Sequence, residues 1–200
     1  MTLDEFITKY NVALNPQQLK AVTTTGVPLL VLSVPGSGKT TVVAAHIAYL
    51  IHCLGVSPNQ ILALTFNKSA KEELRRRISE TYELPYLPRS IGQTIHSFCR
   101  DIYMTYEQHP RSLELSPEKL IGRIWKEILS EYPDASQKQQ AISCIAAYKN
   151  NLLTESDMQK LTEYKDVWPV CKSLFDALEH GHKMLIDDYL VEAYRILISN

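Results

Sequence analysis

One run constrains the fold of this 200-residue chain more than any other: Pro28-Leu29-Leu30-Val31-Leu32-Ser33-Val34-Pro35-Gly36-Ser37-Gly38-Lys39-Thr40-Thr41-Val42-Val43. Its first half is apolar and partly β-branched, which predicts a buried parallel strand. Pro35-Gly36-Ser37-Gly38 cannot continue such a strand. From Lys39 onward, Val43, Ile47, Leu50 and Leu54 fall at helical spacing. Strand, glycine loop, lysine-threonine and helix, in that order, form the setting of a phosphate-binding loop. A glycine-rich turn with no ligand is the blander alternative, but Lys39 and Thr40 would be an odd choice for a mere turn.

The residue types say what such a loop would hold. A triphosphate needs many donors at close range and a local positive field. Gly36 and Gly38 lack a Cβ, so backbone amides can approach phosphate oxygens. The helix starting near Lys39 presents unpaired amides and the positive end of its dipole. Lys39 is expected to reach the β- and γ-phosphates of ATP, and the Thr40 hydroxyl to hold Mg²⁺, a cation that prefers oxygen ligands. Ser33 stands where the general pattern has glycine.

Composition narrows the class. The chain is 45% hydrophobic and 22% charged, as in an ordinary soluble globule, and its formal net charge is −1. No global basic field announces nucleic acid, although net charge does not fix where charges lie. Cys53, Cys99, Cys144 and Cys171 are widely spread without a CxxC pair and read as reduced thiols of a cytoplasmic protein. His180-Gly181-His182 and Cys171 lack the paired spacing of a zinc site. The acidic opening shows no leader, and no stretch is apolar enough to span a membrane.

The order of elements predicts α/β architecture. Thr2 and Glu5 form a capping-box pair for a helix over 2–10. Asn15 and Pro16 start a second helix, in which the Gln18 amide suits the edge of adenine, although a lone helical glutamine is usually a solvated surface residue. After the loop and its helix come a strand at 61–66 and a helix at 69–80, whose charges mostly decorate a solvated face. A weaker strand at 90–96 and a helix to about 106 follow. Such alternation predicts a parallel sheet with helices on both faces. Beyond Pro117 the periodicity is helical only, over 117–131, 136–150, 155–162, 167–180 and 187–198, which predicts a second, all-helical unit. Asp187-Asp188 follows an apolar triplet and so invites reading as a Walker B acid. Leu190, Ala193, Tyr194 and Leu197 at helical spacing argue for a helix-start carboxylate instead.

Four segments then fall in a telling order. They are Leu14-Asn15-Pro16-Gln17-Gln18, the 36–40 loop, Leu64-Thr65-Phe66-Asn67-Lys68-Ser69-Ala70 with Arg77 downstream, and Thr94-Ile95-His96-Ser97-Phe98. The chain resembles the UvrD/Rep-like superfamily 1A DNA helicases in their Q motif, Walker A loop and motifs Ia and Ib. Ala147-Tyr148-Lys149-Asn150 and Ile186-Asp187-Asp188-Tyr189-Leu190 resemble segments of that family's helical 1B subdomain and its return. Val34 departs from the glycine usual there. The resemblance implies a P-loop NTPase (RecA-like) motor domain 1A over 1–106, a helical 1B insertion over 107–185, and a helix over 186–200 returning to 1A.

It also implies roles, residue by residue. Gln18, Pro35, Gly36, Ser37, Gly38, Lys39, Thr40 and Thr41 are implied as the ATP site, together with Arg77, which faces nucleotide or packs structurally. Thr65, Phe66, Asn67, Thr94, His96 and Ser97 are implied as contacts to single-stranded DNA. The family's Walker B acid and arginine fingers are expected beyond the segments seen here, which leaves the catalytic residues unassigned and predicts feeble ATP hydrolysis. The expected function is therefore the ATP- and DNA-binding part of a helicase that works with remaining domains or a partner chain. The alternative is a nucleotide- or DNA-binding module without turnover, or a split-protein subunit that needs a partner chain. A small-molecule or nucleoside kinase on the same loop fits the Thr65-Phe66 and Thr94-Ile95-His96 segments poorly.

Overall fold

The computed structural model describes residues 1–199, so the last residue of the expected 186–200 helix, Asn200, lies outside the described residues. The chain divides into two compact units, Met1–Phe98 and Cys99–Asn200. In the first, α1 (Leu3–Lys9), α2 (Pro16–Thr23), α3 (Lys39–His52) and α4 (Lys68–Tyr82) accompany β1 (Ala63–Thr65) and β2 (Ile91–Thr94). The boundary falls inside α5 (Ile95–Tyr106).

Helix starts follow their local chemistry. Thr2 and Glu5 close a capping box on α1, and Asn15 and Gln18 close another on α2 ahead of Pro16. Helix α3 buries Ala44, Ala45, Ile47 and Ala48, a mostly small face against which α2 and α4 pack. At its far end Phe6 stacks on Tyr82 with ring centroids 5.6 Å apart and meets Tyr10 edge-on at 5.4 Å. His52 Nε2 sits 2.9 Å from the Tyr82 carbonyl and 3.2 Å from the Tyr10 hydroxyl, so the polar ring is satisfied inside an aromatic cluster.

The sheet is smaller than the sequence predicts. β1 and β2 pair in parallel, Ala63 opposite Ile91 and Thr65 opposite Thr94, with an irregularity between Ala63 and Leu64. The run 28–34 forms no strand: none of the described strands pairs with it, and Leu30, Leu32 and Val34 are exposed. An apolar run becomes a strand only when a neighbouring strand accepts its backbone hydrogen bonds. Arg75 also departs from the solvated face expected of α4. Its guanidinium donates to the carbonyls of Leu87 at 2.8 Å, Pro88 at 2.8 Å and Ile91 at 2.7 Å. Gly92 has φ +82°, and a Cβ there would lie 3.1 Å from Arg75 Cγ, so both backbone and space call for glycine.

The second unit is mostly helical. It contains α6 (Pro117–Leu129), α7 (Ala135–Asn150), α8 (Glu155–Lys160), α9 (Trp168–His180) and α10 (Asp188–Ser199). Its core gathers Ile121, Trp125, Cys144, Cys171 and Leu174. A parallel pair, β3 (Ser112–Leu113) with β4 (Lys183–Met184), escaped the sequence reading because two residues leave no alternation to see. Asp188 opens α10, accepts from the Leu185 amide at 2.7 Å, and is ion-paired with Lys149. That environment fits the helix-start reading of Asp188: its carboxylate is buried and engaged on both oxygens. Desolvation pushes the Lys149 amine below its usual range, with Asp188 opposing the shift.

Burial separates two apolar positions that look alike in sequence. Phe6→Ala, at a fully buried ring, is expected to destabilise the first unit by about 3–5 kcal/mol. Leu30→Ala, at a side chain 81% exposed, is expected to change stability by less than about 0.5 kcal/mol. Urea titrations followed by circular dichroism would check both, and equal losses would contradict the packing described.

Candidate functional site

The glycine loop precedes α3, and its backbone has the shape the composition requires. Gly36 and Gly38 have φ of +79° and +84°. Gly38 is the residue from which α3 starts, so the first amides of the helix face the loop with no side-chain cap. Ser37 closes the turn, its amide donating to the Val34 carbonyl at 3.3 Å and its hydroxyl to the same oxygen at 2.7 Å. Lys39 curls over the loop: its ammonium donates to the carbonyls of Val34 at 2.8 Å and Ser33 at 3.4 Å and remains exposed. The Thr40 hydroxyl has no hydrogen-bond partner among the described residues.

Gln18 joins α2 to this loop. Its Nε2 donates to the Ser37 carbonyl at 3.0 Å while its Oε1 accepts from the Asn15 amide at 2.9 Å. An amide offers two donors and two acceptor lone pairs, so half of its capacity is still available. A Cβ on Gly38 would sit 3.4 Å from Gln18 Nε2, which shows how closely the two approach. A cavity of about 310 Å³ opens here, bordered by Gln18, Ser37 and Lys39, with Asn15, Leu32 and Val43 adding walls to which no site role was assigned, while Gly36, Gly38 and Thr40 do not line it. No carboxylate lines it. Val43 carries the helical spacing already noted; Asn15 was read as a cap and as part of the segment ending in Gln18.

Arg77 bridges two helices. From α4 it donates to the hydroxyl of Thr41, in the first turn of α3, and pairs with Glu73 at 2.5 Å. Hydrogen bonds from Arg76 and then Arg77 hold the Glu73 carboxyl below its usual range. Of the two roles left open for Arg77, the contact made is between helices, one residue beyond Thr40.

The two remaining segments meet at one end of the sheet. Thr65 and Thr94 are register partners at the carboxyl ends of β1 and β2. Thr65 Oγ1 lies 3.4 Å from the Gln93 carbonyl and 3.3 Å from that of Asn67. Asn67 caps α4 by accepting from the Ala70 amide at 2.8 Å. Thr94 Oγ1 donates to Ser97 Oγ at 2.8 Å and accepts from the Ser97 amide at 3.3 Å, which turns the chain into α5. Phe66 stands 87% exposed beside them, and His96 is half-buried one residue before Ser97. An unburied aromatic face beside hydroxyls and a helix start, at the carboxyl ends of parallel strands, is the placement open α/β sheets use for ligands. Among the described residues no group of three metal-ligating side chains occurs. No described helix is long and apolar enough to cross a membrane.

Comparison with known proteins points to one family. A family model described as the UvrD/REP helicase N-terminal domain matches residues 14–200. The putative ATP-dependent DNA helicase YjcD of Bacillus subtilis is 31% identical over 205 residues, covering 94% of this chain and 26% of that protein. The ATP-dependent DNA helicase PcrA of Staphylococcus aureus is 32% identical over 165 residues, covering 76% of this chain and 22% of its own length. The ATP-dependent DNA helicase UvrD1 of Mycobacterium leprae is 46% identical over 86 residues, covering 43% of this chain and 11% of its own. The chain thus spans about a quarter or less of these relatives.

The loop geometry itself is testable. Gly38→Ala places a Cβ at a left-handed backbone position, which costs about 1–2 kcal/mol. The variant is expected to lower the urea midpoint of the first unit, whereas Ser37→Gly keeps the turn's backbone and changes it less. An unaltered midpoint for Gly38→Ala would contradict the positive φ at this residue.

Proposed function

Because the chain belongs to the UvrD/REP helicase N-terminal domain family, we propose that it grips ATP·Mg²⁺ in the 35–41 loop and single-stranded DNA at the ends of β1 and β2. The observation that carries the first half is the loop: glycines of positive φ and an uncapped helix start adjoin one exposed ammonium, and Ser37 and Lys39 of this loop border the cavity beside Gln18. Those groups can exchange neutral carbonyl contacts for charged phosphate oxygens, and charge-assisted bonds are the stronger kind. Lys39 then neutralises the β- and γ-phosphates, and the amides of Gly36, Ser37 and Gly38 surround them. The free Thr40 hydroxyl is the oxygen that would hold Mg²⁺, which supplies charge neutralisation between phosphates. Gln18 meets the adenine edge with its remaining donor and acceptor while Pro35 shapes the loop entrance. Thr41 and Arg77 brace the first turn of α3 from the far side.

For DNA, Thr65, Asn67, Thr94 and Ser97 offer hydroxyl, amide and helix-start donors to the sugar-phosphate backbone. Phe66 offers an aromatic face to a base, and His96 a second ring beside it. Residues 1–106 constitute motor domain 1A and residues 107–185 the helical 1B subdomain in this reading, with the final helix returning to 1A.

Hydrolysis asks for more than binding. It needs a carboxylate for metal and water, and arginine charge stabilisation worth about 10³–10⁵ in rate in other nucleotide hydrolases. The loop cavity has no carboxylate wall, which favours a chain that binds nucleotide yet turns it over slowly until further domains or a partner chain join it.

Thermal shift with ATP·Mg²⁺ at about 100 times its dissociation constant is expected to add roughly 2.7 kcal/mol of stability. Lys39→Ala should abolish the shift; a full shift in that variant would remove the ammonium from the site. In parallel, Phe66→Ala should weaken binding of a labelled oligonucleotide by about 1–3 kcal/mol, the worth of one stacked base. Unchanged anisotropy titrations would exclude Phe66 from the DNA contact.

A further inference from the structure

Of the twelve lysines and arginines of the second unit, six are ion-paired, and Arg100 and Lys165 make no ion pair among the described residues and lie apart from the groove that the other four share. Arg111, Lys149, Lys160, Lys172, Lys183 and Arg195 are each ion-paired within the unit. Lys119, Arg123, Lys126 and Lys138 make no ion pair among the described residues, and all four line one open groove of about 640 Å³. Glu118 and Glu127 share the groove, yet no cation there is closed onto them. Lys119, Arg123 and Lys126 stand at i, i+4 and i+7 of α6, one stripe about 10 Å long. Gly122 keeps the floor between them low: nothing lies within 4 Å of where its Cβ would be.

At the rim Tyr132 is 68% exposed. Lys126 Nζ lies 4.6 Å from its ring centroid and 3.3 Å from its hydroxyl, so the ring is steadied without being buried. Unpaired cations in a row beside a steadied, exposed aromatic ring match what a polyanion with accessible base faces needs. A duplex hides its base faces in the stack, so the tyrosine favours a single strand. We infer that the α6 groove, formed by Lys119, Arg123, Lys126, Lys138 and Tyr132, is a second contact for single-stranded nucleic acid, separate from the β1–β2 end. This rests on the DNA-binding reading above and extends it to the other unit.

The test uses the whole chain and a fluorescein-labelled thymidine oligonucleotide, with anisotropy followed from about 50 to 200 mM salt. Each phosphate contact on a single strand contributes about 0.7 to the slope of log K against log salt. The triple variant K119Q/R123Q/K126Q is expected to bind more weakly and to lower that slope by roughly 2. Tyr132→Ala is expected to weaken binding about fivefold or more, with the salt slope unchanged. Circular dichroism should confirm that these surface variants remain folded. If the triple variant and Tyr132→Ala both bind like the unaltered chain while Phe66→Ala binds weakly, the groove assignment fails and the β1–β2 contact stands. If the unaltered chain binds no oligonucleotide, the DNA reading fails and the groove with it. Preference for a blunt duplex over the single strand, with Tyr132→Ala indifferent, would also overturn the inference.

Discussion

The close approach of two helices to α3 is what the first unit depends on. Ala44, Ala45 and Ala48 present almost no side chain, so α2 and α4 come near enough to lock its axis. An α-helix held on that face delivers its start, Gly38, to a fixed place. Gln18 from α2 and Arg77 from α4 then fasten the loop and the first helical turn from opposite sides. Phosphate chemistry needs donors set in advance, since a donor that must reorganise on binding loses part of its worth. Here the setting of the loop is fixed from the alanine face of α3.

The same helix α4 reaches toward both proposed sites. Its cap, Asn67, lies in the segment proposed for DNA, and Arg77 ten residues on touches Thr41 beside the loop proposed for nucleotide. A continuous helix is stiff over that length, so a shift at one end is felt at the other. Linkage then requires that any help DNA gives to nucleotide binding be returned in equal measure.

Much of this was legible in the sequence, and the reasons are local. Capping pairs such as Thr2 with Glu5 and Asn15 with Gln18 are closed within four residues, so a string of letters contains the whole interaction. The loop glycines are likewise a property of their own backbone. What escaped the sequence depends on distant partners. The 28–34 run has the composition of a strand, but pairing decides strandhood and none of the described strands pairs with it. Arg75 sits among surface-like charges, and only the carbonyls of 87, 88 and 91 reveal it as an internal strut. The α6 groove was invisible because a net charge of −1 averages over it.

That strut has a consequence for which substitutions the fold accepts. Among the described strands β2 has a neighbour on one edge only, and its approach is tethered by a planar fork reaching three main-chain oxygens. A lysine in the same place keeps the charge but replaces the fork with a single flexible point, so it cannot serve all three acceptors in fixed directions. Two basic residues that count alike in any tally of charge are therefore not interchangeable at position 75, and Thr94, at the end of the tethered strand, inherits the difference.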